Sequence, residues 1–306
     1  MANVQSSEKD NHRLLKNNRS SGKHNETRGK ILVFSSAFLV IAATIAITLF
    51  LGYKGIRTFF AFDVNLWNFL TTTGWDGTEN SGALSFIFGS FAVTFLAALF
   101  AAPLGIGSAI FMTEIAKKWG QKVMQPVIEI LVGIPSVVYG LIGVTVIVPL
   151  IRDNIGGIGF SLLAGMVVVG IMILPTITSI SADAIKAIPD DIKNASYGLG
   201  ATRWQTIYKV ILPAALPSLM TAIVLGMARA FGEALAVQMV IGNVRGLPSS
   251  ITDSAATLTS IITLDMPHTT YGSVHNSLLW SLGLFLLIMS YVFIIVIRVV
   301  SSRRKV

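Results

Sequence analysis

From Ile31 to Leu51 the chain runs without a single charged side chain, long enough to cross a hydrocarbon core, which takes about 20 helical residues. Comparable apolar stretches recur at Ala83–Met112, Pro126–Ile151, Phe160–Ser181, Ala214–Ile241 and Leu278–Ile297. In lipid every backbone N–H and C=O must be satisfied within the protein, so separate apolar runs of this length become helices. The fold class expected is therefore an all-α membrane protein with about six transmembrane helices. Composition agrees: only 12% of residues are charged, about half of the roughly 25% usual in soluble domains. The second, third and fifth runs exceed the minimum span and include tilted or extramembrane turns. Pro103, Pro135, Pro175 and Pro217 fall within or near these helices and mark kinks, which neighbouring helices can tolerate by satisfying the freed carbonyls.

Residues 1–30 are polar and basic and read as a disordered tail. The run after them is too long, and the tail too extended, for a signal peptide, so it reads as a retained anchor. Lysine and arginine then orient the bundle. Seven lie in residues 1–30; others cluster at Lys117, Lys118 and Lys122, at Lys186, Lys193, Arg203 and Lys209, and at Arg298, Arg303, Arg304 and Lys305. The alternate connections carry only Lys54, Arg57, Arg152 and Arg245. Six spans place both termini and the two basic loops on one side, expected to be cytoplasmic. The organisation expected is a cytoplasmic tail (1–30), an anchor with an extracytoplasmic loop (31–82), a membrane core (83–298) and a basic cytoplasmic tail (299–306).

The first outer loop carries Trp67, Trp75 and several phenylalanines; a segment lying along the outer leaflet and an ordinary packed loop fit equally. In the second helix Ala97, Ala101, Gly105 and Ala109 recur every four residues, a small-residue stripe that lets another backbone approach closely.

The connection between the fourth and fifth spans is the most informative stretch. Asp190, after Pro189, is a candidate N-cap for a short helix through Leu199. Gly200 ends that helix, and Thr202 with Gln205 forms a capping-box pattern that starts another. Trp204, Ile207, Tyr208 and Ile211 share its apolar face. Two short helices at a glycine turn make a knob that suits docking into a soluble partner; a plain loop packed on its own bundle fits the pattern as well.

In the fifth span Arg229 and Glu233 lie four apart, which on a continuous helix puts them on one face, able to pair. Charges inside a membrane are costly and usually face a bundle interior or a pathway. Arg229 and Glu233 are therefore candidates for a translocation pathway or gate, against a purely structural ion pair. Glu114 and Glu129 read as residues near the membrane face and not as ligands.

Other chemistry is excluded or unsupported. There is no cysteine, and His12, His24, His268 and His275 show no metal-ligand spacing. Gly22-Lys23 precedes His24 and Gly29-Lys30 precedes Ile31, so no phosphate-cradling loop for ATP is present. No catalytic residue, metal site or resident cofactor is expected. The basic residues sit between apolar runs, which points to membrane topology and not to nucleic acid.

The 181–219 connection resembles the cytoplasmic EAA loop of ABC importer permeases. Asn194, Ala195 and Ser196 stand at its first three positions, Gly200 is its glycine, and Val210, Leu212 and Pro213 match its ending. Asn194 replaces the acidic residue and Ser196 an alanine, so an ion pair from the first position is not implied. IPSVVYG at 134–140, LPTI at 174–177, SADAI at 181–185, LGATRW at 199–204 and ARAFGEALAVQMVIGN at 228–243 resemble the phosphate importer permeases, more the PstC than the PstA type, over about 83–298. The resemblance implies a MetI-like bundle and a coupling loop at 182–213 in which Asn194, Ala195, Ser196, Gly200, Ala201, Thr202 and Arg203 meet an ATPase. It implies a second permease of PstA type, a PstB-like ATPase dimer that binds ATP and magnesium, a PstS-like extracytoplasmic phosphate-binding protein, and inorganic phosphate as cargo. The same machine for molybdate or sulfate is the nearest alternative. A stand-alone secondary transporter or channel would need no ATPase-docking loop, and the inverted repeats common in such folds are not evident here.

Overall fold

A computed structural model describes residues 2–302, with the side chains of 29–296 and Val299 apart from Lys117 and Gln121. The helices are α1 (Ala2–Ala61), α2 (Leu66–Thr71), α3 (Leu84–Ile110), α4 (Lys117–Trp119), α5 (Gln125–Gly133), α6 (Ser136–Ile142) and α7 (Val148–Asn154), followed by α8 (Leu162–Lys186), α9 (Asp190–Gly198), α10 (Arg203–Thr206), α11 (Leu212–Phe231), α12 (Leu235–Val240), α13 (Leu258–Asp265) and α14 (Val274–Ser302). Among the described residues the only β pairing is an isolated parallel bridge between Gly242 and Ala255. Among the described residues six helical stretches are long and apolar enough to cross a membrane: Gly29–Ala61, Leu84–Ile115, Ser136–Asn154, Leu162–Lys186, Arg203–Phe231 and Val274–Val296.

The chain divides into two compact units, Met1–Tyr53 and Lys54–Val306. The first is the body of α1. Its backbone stays helical over 2–30, where composition suggests disorder; the side chains of 2–28 lie outside the described residues. From the expected end at Leu51 the helix runs on to Ala61 and carries Lys54 and Arg57 in its last turns. The basic tail expected at 299–306 is helical to Ser302, and 303–306 lie outside the described residues.

The second unit is built around α3 and α8. The stripe of Ala97, Ala101, Gly105 and Ala109 is fully buried. An added Cβ at Gly105 would stand 2.9 Å from Ile177 Cγ2, and one at Gly170 would stand 2.8 Å from Phe100. Van der Waals contact of close backbones holds membrane helices, because lipid tails leave little hydrophobic drive between them. The central core adds Tyr139, Val168, Met172, Ile173, Ala236 and Ile241. A second cluster joins Phe69, Trp75, Phe86, Leu258, Leu278 and Leu282. In the first outer loop Phe69 and Trp75 are therefore packed core, while Trp67 is exposed.

Two expected spans are interrupted. The run 126–151 breaks at Ile134 and Pro135, both extended with ψ of 128° and 139°, because proline disfavours a helical residue before it. The run 214–241 breaks after Phe231: Gly232 caps α11, and α12 starts only at Leu235. Residues 232–273 then fold back instead of crossing. Ser161 donates its N–H to Val240, and Leu162 and Leu163 donate to Asp253 and Ile251.

Candidate functional site

The first candidate site is the knob between α8 and α11. Pro189, with φ −56° and ψ 137°, is the N-cap of α9, so Asp190 takes the first helical position and not the cap expected of it. Asp190 and Asp191 lie in the first turn, where negative charge meets the positive end of the helix dipole. The helix ends at Gly198, one residue short of expectation. Gly200 at φ +80° turns the chain, its N–H donating to Tyr197 and that of Ala201 to Ser196. Both arms of the capping box form: Gln205 N–H donates to Thr202 Oγ1, and Thr202 N–H donates to Gln205 Oε1.

These turns bring Ser196, Gly200 and Ala201 together with Leu199, Gln205, Lys209 and Val210 around an open cleft of about 300 Å³. Ser196 and Thr206 share a hydroxyl hydrogen bond of 2.9 Å that joins α9 to α10. Asn194 and Ala195 are exposed. The apolar face expected of the second helix is split by a π-helical turn at Ile207–Ile211. Ile207 and Ile211 are buried in a third core cluster with Met112, Ile185 and Leu219, whereas Trp204 and Tyr208 stand exposed with Leu199.

Sequence reasoning missed how the knob is fastened. Lys193 donates to Glu114 at 2.7 Å, and both side chains are buried. Arg203 donates from Nη2 to the carbonyl of Ile115 at 2.9 Å, and Lys186 donates to Gln125 Oε1. The π-helical turn Phe111–Ile115 that ends α3 thus receives two of the knob's cations. An acid in an apolar run (Met112-Thr113-Glu114-Ile115) is a signal that a buried partner exists, but nothing local names a lysine 79 residues away.

The second candidate site surrounds Arg229. The helix break separates it from Glu233, and among the described residues no ion pair joins the two. Arg229 Nη1 instead donates to Thr176 Oγ1 on α8 at 2.8 Å, beside the proline of the 174–177 segment. Tyr139 of the 134–140 segment anchors itself by donating to the carbonyl of Leu131. Glu233 Oε1 accepts the N–H of Ala236 at 3.2 Å and so caps α12, while Thr259 donates to the Glu233 carbonyl. Arg229 is half-buried, and among the described residues its guanidinium donates only to Thr176.

A third constellation was not legible in the sequence. The buried carboxylate of Asp265 accepts from Trp75 Nε1 at 3.1 Å and from Arg245 Nη2 at 2.8 Å, and lies 3.2 Å from His275 Nε2. It ties together the first outer loop, the segment after α12 and the start of α14.

Residues 101–306 match the family of binding-protein-dependent transport system inner membrane components. The chain is 62% identical to a probable ABC transporter permease protein, YqgH, of Bacillus subtilis, over 95% of this chain and 96% of that one. It is 32% identical to the phosphate transport system permease protein PstC of Mesorhizobium japonicum, over 87% and 86%. Among solved structures it resembles a chain of the MetNI methionine ABC transporter in inward-facing form (TM-score 0.52, 23% identity, 70% of this chain and 93% of that). It also resembles a chain of a bacterial ABC transporter that imports the acidic polysaccharide alginate (TM-score 0.60, 16% identity, 88% and 95%). These two likenesses bear on the fold, a MetI-like permease bundle.

Proposed function

Since the chain belongs to the family of binding-protein-dependent transport inner-membrane components, we propose that it is the PstC-type permease of a phosphate importer. As a permease component of an ABC transporter it is a multi-pass inner-membrane protein. The cargo assignment rests on its likeness to PstC, and the observation that carries it is Arg229: a half-buried guanidinium with spare donors, held by a single hydroxyl. A fork of N–H groups matches a phosphate oxyanion, and Thr176 orients it without neutralising it. Because Glu233 is engaged with α12, no carboxylate needs to be displaced for an anion to reach Arg229.

The knob couples this site to a motor. The cleft of Ser196, Gly200 and Ala201, flanked by the exposed Leu199, Trp204 and Tyr208, is the docking face for a PstB-like ATPase dimer, which binds ATP and magnesium. Asn194, Ala195, Thr202 and Arg203 complete that face. Movement of the knob is passed to the end of α3 by Lys193 and Arg203, which bond Glu114 and Ile115. It also passes directly into α11, which begins one π turn after α10 and carries Arg229 at its far end. A PstA-like permease completes the pathway and a PstS-like protein delivers phosphate. Both termini lie on the cytoplasmic side, with the lysine-rich and arginine-rich connections.

The test is uptake of radiolabelled phosphate into vesicles holding the assembled complex, with its binding protein outside and ATP inside. Uptake that needs both, and resists a large excess of molybdate or sulfate, supports the reading. Transport without any ATPase subunit, or competition by molybdate or sulfate as strong as by phosphate, overturns it.

A further inference from the structure

At the end of α1 a small cavity of about 60 Å³ is lined by Lys54, Arg57, Phe62, Tyr271, Gly272, Asn276, Ser277 and Trp280. It stands apart from the knob and from Arg229, on the opposite side of the bundle from α9 and α10 by the alternation of spans. Two cations line it and no carboxylate does. Lys54 donates to Tyr271 OH at 2.7 Å and lies 4.7 Å from that ring's centre. Arg57 is exposed and bonds no acid or carbonyl among the described residues, and the hydroxyl of Ser277 likewise has no partner there. The walls are held independently of any ligand. Thr58 donates to the Ser277 carbonyl, Ser281 donates to Gly55, and Asn276 donates to Thr269. Gly272, at φ +81°, turns the chain at the rim and leaves open space where a Cβ would stand.

A pocket held open by others' hydrogen bonds, with a free guanidinium, an ammonium and a spare hydroxyl, has the chemistry of an oxyanion receptor. Its size suits a small tetrahedral group and excludes a nucleotide or peptide. We propose that the Lys54–Arg57 cavity binds a single phosphate group, from an anionic phospholipid headgroup or from free inorganic phosphate. Arg57 and Ser277 donate to the phosphate oxygens, Lys54 supplies the second charge, and Phe62 and Trp280 wall the site. Lys54 holds the Tyr271 phenol below its ordinary pKa, a sign of the positive field there.

The experiment uses the full chain assembled with its partner subunits, purified in a maltoside detergent and stripped of lipid. One arm titrates it with radiolabelled inorganic phosphate; the other adds phosphatidylglycerol and counts bound lipids by native mass spectrometry. The Lys54→Gln/Arg57→Gln variant is expected to lose about tenfold or more of whichever ligand binds, since charge-assisted hydrogen bonds are the strong ones. Loss in the first arm assigns free phosphate, and loss in the second assigns a lipid headgroup. If the double variant fails to assemble, Arg57→Gln and Ser277→Ala, single changes at an exposed and a half-exposed side chain, carry the comparison. In the lipid arm Arg229→Gln is expected to leave the count of bound lipids unchanged, which separates the site from the transport pathway. Equal binding by wild type and variants in both arms, or no binding of either ligand by wild type, overturns the proposal.

Discussion

Lys193 and Glu114 meet at 2.7 Å with their side chains only 8% and 3% exposed, one on the first helix of the knob and the other on the π-helical turn that ends α3. Replacing a buried ion pair by apolar residues is often neutral, but removing one partner strands the other charge and costs about 3–5 kcal/mol. Lys193→Ala is therefore expected to lower the unfolding midpoint of the purified complex markedly and to uncouple ATP hydrolysis from uptake. Lys193→Met with Glu114→Leu should recover most of the midpoint. Singles that melt like wild type would remove this pair as the fastener of the knob.

Arg229→Gln is expected to abolish phosphate uptake while leaving membrane insertion and complex assembly intact. Thr176→Val should reduce uptake less, because it frees the guanidinium without removing it. Uptake assays beside size-exclusion profiles of the complex read both, and normal transport by Arg229→Gln would refute the pathway role.

Arg229 and Glu233 bond different elements, so their effects on stability should add. A double-mutant cycle of Arg229→Gln and Glu233→Gln is expected to give a coupling within about 0.5 kcal/mol, the usual scatter for independent sites. A larger coupling would mean that the two side chains do pair in the membrane.

Two glycines separate backbone strain from crowding. At Gly200 a Cβ meets nothing, so Gly200→Ala costs only the left-handed conformation, about 1–2 kcal/mol. At Gly105 the backbone is ordinary but a Cβ would stand 2.9 Å from Ile177, an overpacking worth about 1–3 kcal/mol. Both should appear as lowered melting temperature; only Gly200→Ala should also weaken ATPase association, measured by co-purification.

Asp76 accepts hydrogen bonds from the side chain and N–H of Thr78 and from Ser81, and these lower its pKa from 3.8 to about 2. A depressed carboxylate adds stability that is fully present above pH 3.8 and is lost as pH falls through about 2. Hydrogen exchange at the Thr78 amide is expected to stay slow down to about pH 2, and Asp76→Ala should abolish that protection at every pH. Loss of protection already at pH 3.8 would contradict the hydrogen-bond account.

Hydropathy read the spans well because the requirement it tests, an unbroken apolar helix, is local. Gly200, Thr202 and Gln205 were legible for the same reason: caps and left-handed turns depend on a few neighbouring residues. The breaks at Pro135 and Gly232 were less so. An apolar run reads alike whether it crosses the bilayer or folds back on the bundle, and only packing of α12 against the rest of the chain decides. Arg229 stands out by its cost in lipid, but its hydrogen bond goes to Thr176 and not to Glu233, because four-residue spacing implies a shared face only while the helix continues. Lys193–Glu114 and the Asp265 cluster join distant segments, and no periodicity encodes such meetings.

Only 17% of the apolar window in Val274–Val296 is buried by the rest of the chain, whereas 56% of the window in Leu162–Lys186 is buried. The two helices therefore ask different things of biogenesis. The first can partition into lipid on its own, since bilayer hydrocarbon solvates most of its surface. The fourth span reaches its final surroundings only after α3 has been inserted and α11 has been made, because those helices are its solvent. The mutually dependent helices thus reach their final packing only once they are confined to the plane in which they must find one another.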